Sequence, residues 1–111
     1  ANGTAVALTL VAEGASTSAT QAAIGATGLV TFHADDDTLT EQIAAVEAGM
    51  TAATAVAGET AIFADVADNA NSYIFISDGT AGLGAGDVLI HIIGDAAGAL
   101  TLAGGNITEI A

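Results

Sequence analysis

The chain has 111 residues, 13 of them Asp or Glu, with no Lys, Arg, Cys or Pro and a formal net charge of −13. That length holds one domain. The missing cations exclude recognition of a phosphate backbone, so nucleic acid is not an expected partner, and anionic membrane surfaces are disfavoured for the same reason. No disulfide staples the fold. Of the apolar residues, which make up 52% of the chain, 28 are Ala, so the core is modest. A domain this small gains from a metal or a partner. No carboxylate has a side-chain cation to meet other than His33 or His91. Each is therefore solvated, accepts neutral hydrogen bonds, or is neutralised by a bound metal ion.

Thr4 to Ala12 alternates, with Val6, Leu8 and Leu10 on one side, which predicts a half-buried strand. The opening ANGTAVALTL has neither Met nor a basic segment, so it is not expected to be an intact signal peptide; the chain reads as a mature product or a piece of a longer one. Gly14 to Gly28 is rich in Ala, Ser, Thr and Gly, with Ile24 its one sizeable apolar residue. It reads as a loop with a short helical turn near Ala19–Ala23. Gly28 to His33 predicts a second strand, with Val30 and Phe32 inward. The expected organisation is an N-terminal strand and linker over residues 1–27 and an α+β core over 28–111.

A helix is expected from Leu39 to Ala57. Thr38 and Glu41 have the spacing of a capping box, and a negative charge in the first turn suits the helix dipole. Leu39, Ile43, Val46, Met50, Ala53 and Ala57 form one apolar stripe, and Gly58 stands where a helix C′ glycine belongs. Three strands follow at Ala61–Val66, Ser72–Ser77 and Asp87–Ile93, joined by Asp, Asn and Gly turns. Short strands at Leu100–Ala103 and Ile107–Ile110 close the chain. The fold class is α+β: an antiparallel sheet of about five to seven strands with one main helix on one face. Both faces of Tyr73–Ile76 and Val88–Ile93 are apolar, as in strands covered on both sides. One helix covers one face; the other is left for the N-terminal region, a larger parent chain or a neighbouring subunit. The run Val88 to Ile93 is too short to cross a bilayer, and membrane insertion is not expected.

The candidate chemistry is acidic. The β-hairpin loop between Ser77 and Asp87 is expected to bring Asp78 and Asp87 together, while Asp65, Asp68, Asn69 and Asn71 come from the preceding hairpin and reach either the opposite end of the sheet or a neighbouring subunit. Hard oxygens of this kind suit Ca²⁺, and the same residues are also ordinary turn formers. Asp35, Asp36 and Asp37 form a second candidate cluster beside His33, to be weighed against a solvated run capping the helix. His33 and His91 have no Cys or further His to complete a transition-metal site. The glycines of Gly79 to Gly86 precede a strand and are flanked by Asp, which does not suit phosphate. No nucleophile and base stand in a recognisable arrangement, so an enzyme is not expected.

ETAIFADVADNANSYIFISDGTAGLGAGDVLIHIIG, followed by LTLAGGNITEI, resembles the C-terminal regions of type I-secreted bacterial surface proteins, S-layer-like and RTX-adhesin-like. The resemblance spans about residues 28–111 and is carried most specifically by YIFISDGT and GDVLIxIxG. It implies an exported, calcium-responsive chain whose final segment serves in secretion. The calcium-binding nonapeptide of that group is not matched: Leu83 and Ala85 stand where two of its glycines belong, so no ligand is carried over. The expected function is a secreted, calcium-stabilised structural subunit that self-associates into a surface layer or filament, with Val6, Leu8, Leu10, Tyr73 and Phe75 as assembly residues. The alternatives are an adhesive or polysaccharide-binding module, or a secretion-signal domain, of a larger protein.

Overall fold

The computed structural model describes residues 21–53, 56–80, 82, 84–97, 100–103 and 106–110. Over them the chain is α+β, with one helix, α1 (Leu39–Ala53), and antiparallel strands. The strands divide among three small sheets. β1 (Ala23–Ile24) pairs with β2 (Val30–Thr31). β3 (Thr60–Ala64), β4 (Ser72–Ile76) and β5 (Val88–Ile92) form the central sheet in that order. β6 (Leu100–Ala103) and β7 (Asn106–Ile110) form a separate hairpin. The predicted strand Thr4–Ala12 lies outside the described residues.

The helix begins as its sequence dictates. Thr38 donates from its amide and its hydroxyl to Glu41 Oε2, at 3.1 and 2.8 Å, and Glu41 N–H returns a bond to Thr38 Oγ1 at 3.3 Å. That reciprocal capping satisfies two otherwise orphaned donors. The Thr38 hydroxyl is the main reason the Glu41 carboxyl titrates below its ordinary range. The end differs from expectation: Val56–Glu59 is a turn rather than the last helical turn. Gly58, at φ 86°, donates to Ser77 O at 2.8 Å, and Ser77 N–H donates to Glu59 O at 2.9 Å. These bonds prolong the β3–β4 ladder, and they compete for the backbone groups that a helix through Ala57 would use. β-Branched Val56 weakens the helical alternative.

Val46, Ala45 and Met50 of α1 pack on Ala61, Phe63 and Phe75 of the sheet and on Ala22 and Ile24. Leu39, Ile43, Val30, Phe32 and Tyr73 line that cluster. The expected helical turn near Ala19–Ala23 is corrected: Ala23 begins β1. Gly49 explains how this segment lies so close to the helix. A Cβ there would stand 2.6 Å from the Ala22 carbonyl oxygen, and Ala22 N–H donates to Ala45 O at 2.9 Å. The core thus reaches upstream of residue 28.

The opposite sheet face holds a second cluster, in which Ile62 and Ile74 are buried with Ala97, bordered by Ile76, Ile90 and Ile92. Of the expected covers, the N-terminal strand lies outside the described residues; what is seen on this face comes from elsewhere in the chain. The centre of the face is closed within the chain, in part by the segment that follows β5. Among the described residues, no helix is long and apolar enough to cross a membrane.

Candidate interaction edge and acidic clusters

The hairpin register explains where the acidic residues go. Ile76 pairs with Val88 at one end of β4, and Ser72 pairs with Ala64 and Ile92 at the other. Asp78 and Asp87 thus share one end of the sheet, while Asp65, Asp68, Asn69 and Asn71 share the opposite end. The two groups do not converge.

At the first end the carboxylates hold the loop. Asp87 accepts Asp78 N–H through Oδ1 at 2.9 Å and Gly84 N–H through Oδ2 at 2.8 Å. Asp78 Oδ1 accepts Thr80 N–H at 2.7 Å, and Glu47 of the helix reaches across to Gly82 N–H at 2.7 Å. Gly79 takes φ 86° there, and a Cβ on it would meet the Ala57 backbone nitrogen at 2.6 Å. Only glycine fits both the dihedral and the space.

At the second end, Asp65 Oδ1 accepts Ala67 N–H at 2.9 Å, Asp68 Oδ1 accepts Ala70 N–H at 3.1 Å, and Asn71 Oδ1 accepts Gly94 N–H at 2.9 Å. Asn69 is an exposed turn residue. Asp65 Oδ2 lies 2.9 Å from His91 Nε2. Sequence reasoning missed that pair, because 26 residues separate its members and only the sheet register brings them together. His91 also stacks on Tyr73, with ring centroids 4.3 Å apart, and Tyr73 stacks on Phe63 at 5.7 Å. In these turns most candidate ligand oxygens already accept backbone amides, which is the neutral way of accommodating a carboxylate.

The cluster before the helix is different. Asp35 and Asp37 are exposed, and His33 Nδ1 lies 3.6 Å from Asp35 Oδ2. Asp36 is buried, with 5% of its surface exposed, and among the described residues its Oδ2 has no hydrogen-bond donor. Gln42, 7% exposed, donates from Nε2 to Asp36 O at 3.1 Å, while its own Oε1 is likewise without a donor. Gln42 was invisible as a site residue in the sequence; its spacing from Asp36 was the available signal. Among the described residues, no group of three or more His, Asp or Glu side chains is placed to hold a metal.

The apolar candidates separate as well. Phe75 is 2% exposed beneath the helix, and Tyr73 is half-buried between its two ring neighbours, so neither is an open contact surface. Val6, Leu8 and Leu10 lie outside the described residues. On and beside β5, Val88 (45% exposed), Leu89 (39%) and Ile93 (70%) reach solvent; the sequence reading marked their run as apolar on both faces but did not name them as assembly residues. Among the described residues β5 pairs with β4 alone. β5 carries no charged residue of its own apart from whatever charge His91 takes. Comparison with protein-family profiles, curated proteins and solved structures returns no match for this chain.

Proposed function

We propose that the chain is a structural subunit or module that self-associates through the free edge of β5 into an extracellular layer or filament. The observation that carries the reading is that, among the described residues, no strand lies beside the outer edge of β5. Sheet edges are ordinarily blunted by Lys, Pro, a bulge or a covering element, because their unpaired N–H and C=O groups template another strand. This chain has no Lys or Pro to place there, and β5 runs in unbroken register with β4 over all five of its residues. Three apolar side chains are exposed on or next to it.

The partner is a second copy of the chain, and Thr4–Ala12 is the segment whose alternation suits strand addition, with Val6, Leu8 and Leu10 as the inserted side chains. Backbone bonds would supply affinity, and alternate side chains the register. Copies that each carry a net charge of −13 repel one another, so association should strengthen with salt or divalent cations such as Ca²⁺ that screen or bridge carboxylates. The extracellular placement rests on the resemblance to type I-secreted surface proteins.

Sedimentation velocity over a concentration series tests the reading. The wild-type chain should show species larger than the monomer that grow with concentration. Leu89→Lys, which places a cation on the edge, should remain monomeric with an unchanged fold. Deleting residues 1–12 should do the same if that segment is the donor. A Leu89→Lys chain that assembles like wild type removes the edge from the account.

A further inference from the structure

We propose that Asp36 and Gln42 hold one calcium ion at the start of α1. The observations are independent of the assembly reading, since a monomer would bind the ion equally well. Asp36 belongs to the loop before the helix and Gln42 to the helix itself, so the ion would join two elements. The bond from Gln42 Nε2 to the Asp36 backbone carbonyl ties the Gln42 side chain to that residue. Each retains one buried oxygen that accepts from no donor among the described residues, a carboxylate oxygen on Asp36 and an amide oxygen on Gln42.

Two orphaned buried acceptors on residues joined by a hydrogen bond call for something positive. Burying a carboxylate without a partner is costly, and the chain has no Lys or Arg to supply one. The helix dipole favours negative charge in this region but gives Asp36 Oδ2 no hydrogen bond. Among cations the donor set selects calcium. It offers hard oxygens of mixed type, carboxylate and amide, and Ca²⁺ accepts both in flexible geometry. Mg²⁺ keeps several waters, which side chains this buried leave little room for. A soft or imidazole-seeking metal finds no thiolate here, and His33 Nδ1 already receives the Asp35 amide at 3.2 Å. The contrast with Asp87, both of whose oxygens accept amides, points the ion to the helix start rather than to the glycine loop.

Calorimetric titration with CaCl₂, paired with thermal melting in EDTA and in CaCl₂, tests the site. Wild type should bind one equivalent with a dissociation constant of about 10⁻⁴–10⁻³ M, as expected for a site with few charged ligands. Its melting temperature should rise by about 5 °C or more at ten times that concentration, and MgCl₂ should not reproduce the rise. Asp36→Asn should abolish both responses. Gln42→Glu adds a second charge and should tighten binding about tenfold while lowering the melting temperature in EDTA. Asp87→Asn should leave calcium binding intact. A wild-type chain indifferent to calcium overturns the proposal. A calcium response that survives Asp36→Asn overturns it too, by placing the ion elsewhere. Sedimentation of Asp36→Asn at high salt judges the β5 edge separately.

Discussion

β4 and β5 are neighbours of nearly equal apolar character, yet they occupy opposite situations. Phe75 and Leu89 are register partners on the same face; Phe75 lies under the helix, while Leu89 extends past it into solvent. On the other face Ile74 is fully buried and its partner Ile90 only partly so. A helix packed on β3 and β4 is too narrow to cover a third strand. What decides whether an apolar strand is core or contact surface is its place in the sheet order, and hydropathy alone does not report it.

The largest effect should come from the covered strand. Phe75→Ala should cost about 3–5 kcal/mol, a large share of the roughly 5–15 kcal/mol available to a domain. Leu89→Ala should cost about 1 kcal/mol or less in dilute monomer, while weakening association. Urea melts of both variants check the pair. Equal losses would place β5 in the core and break the comparison.

The loop joining the two strands sharpens it. Gly79→Ala forces a Cβ against the Ala57 backbone at a left-handed φ and should cost about 2–4 kcal/mol. Asp87→Ala removes the acceptor of two amides and should cost about 2–3 kcal/mol, with Asp87→Asn, which keeps one carbonyl oxygen, losing less. Neither loss should depend on calcium, and repeating the melts in EDTA tests that.

Thr38→Ala, remote from both strands, should give the smallest change, about 1 kcal/mol for a lost cap. Its signature is a titration. The Glu41 carboxyl is held low chiefly by the Thr38 hydroxyl, so its stabilisation is complete above the ordinary carboxylate range and disappears as pH falls through the lowered value. An NMR titration of Glu41 should move upward in the variant. An unmoved curve would dismiss the hydroxyl as the cause.

Much of the fold was legible because its signals are local. Thr38 and Glu41 mark the helix start, and the central strands fall within a residue or two of their expected limits. The two-residue β1 has no period to read, and the helix end is decided by Gly58 bonding Ser77, a partner far along the chain. Candidate ligands were legible as residue types but not as geometry. Asp78 and Asp87 do meet, as their hairpin requires, whereas the burial of Asp36 with Gln42 and the pairing of Asp65 with His91 depend on packing. Alternation assigns faces to a strand and cannot assign its order in the sheet, which is why Tyr73 and Phe75 were read as contact residues and Val88 and Leu89 were not.

Amide hydrogen exchange along Val88–Ile92, followed from dilute to concentrated solution, tests the free edge most directly. Alternate amides of β5 face away from β4. They should exchange rapidly in dilute monomer and gain protection as concentration rises, while the amides bonded to β4 stay protected throughout. Outward amides that are protected at every dilution would mean that the edge is filled within the chain. Outward amides that never gain protection in assembled material would mean that the assembly uses another surface. Either result contradicts the account.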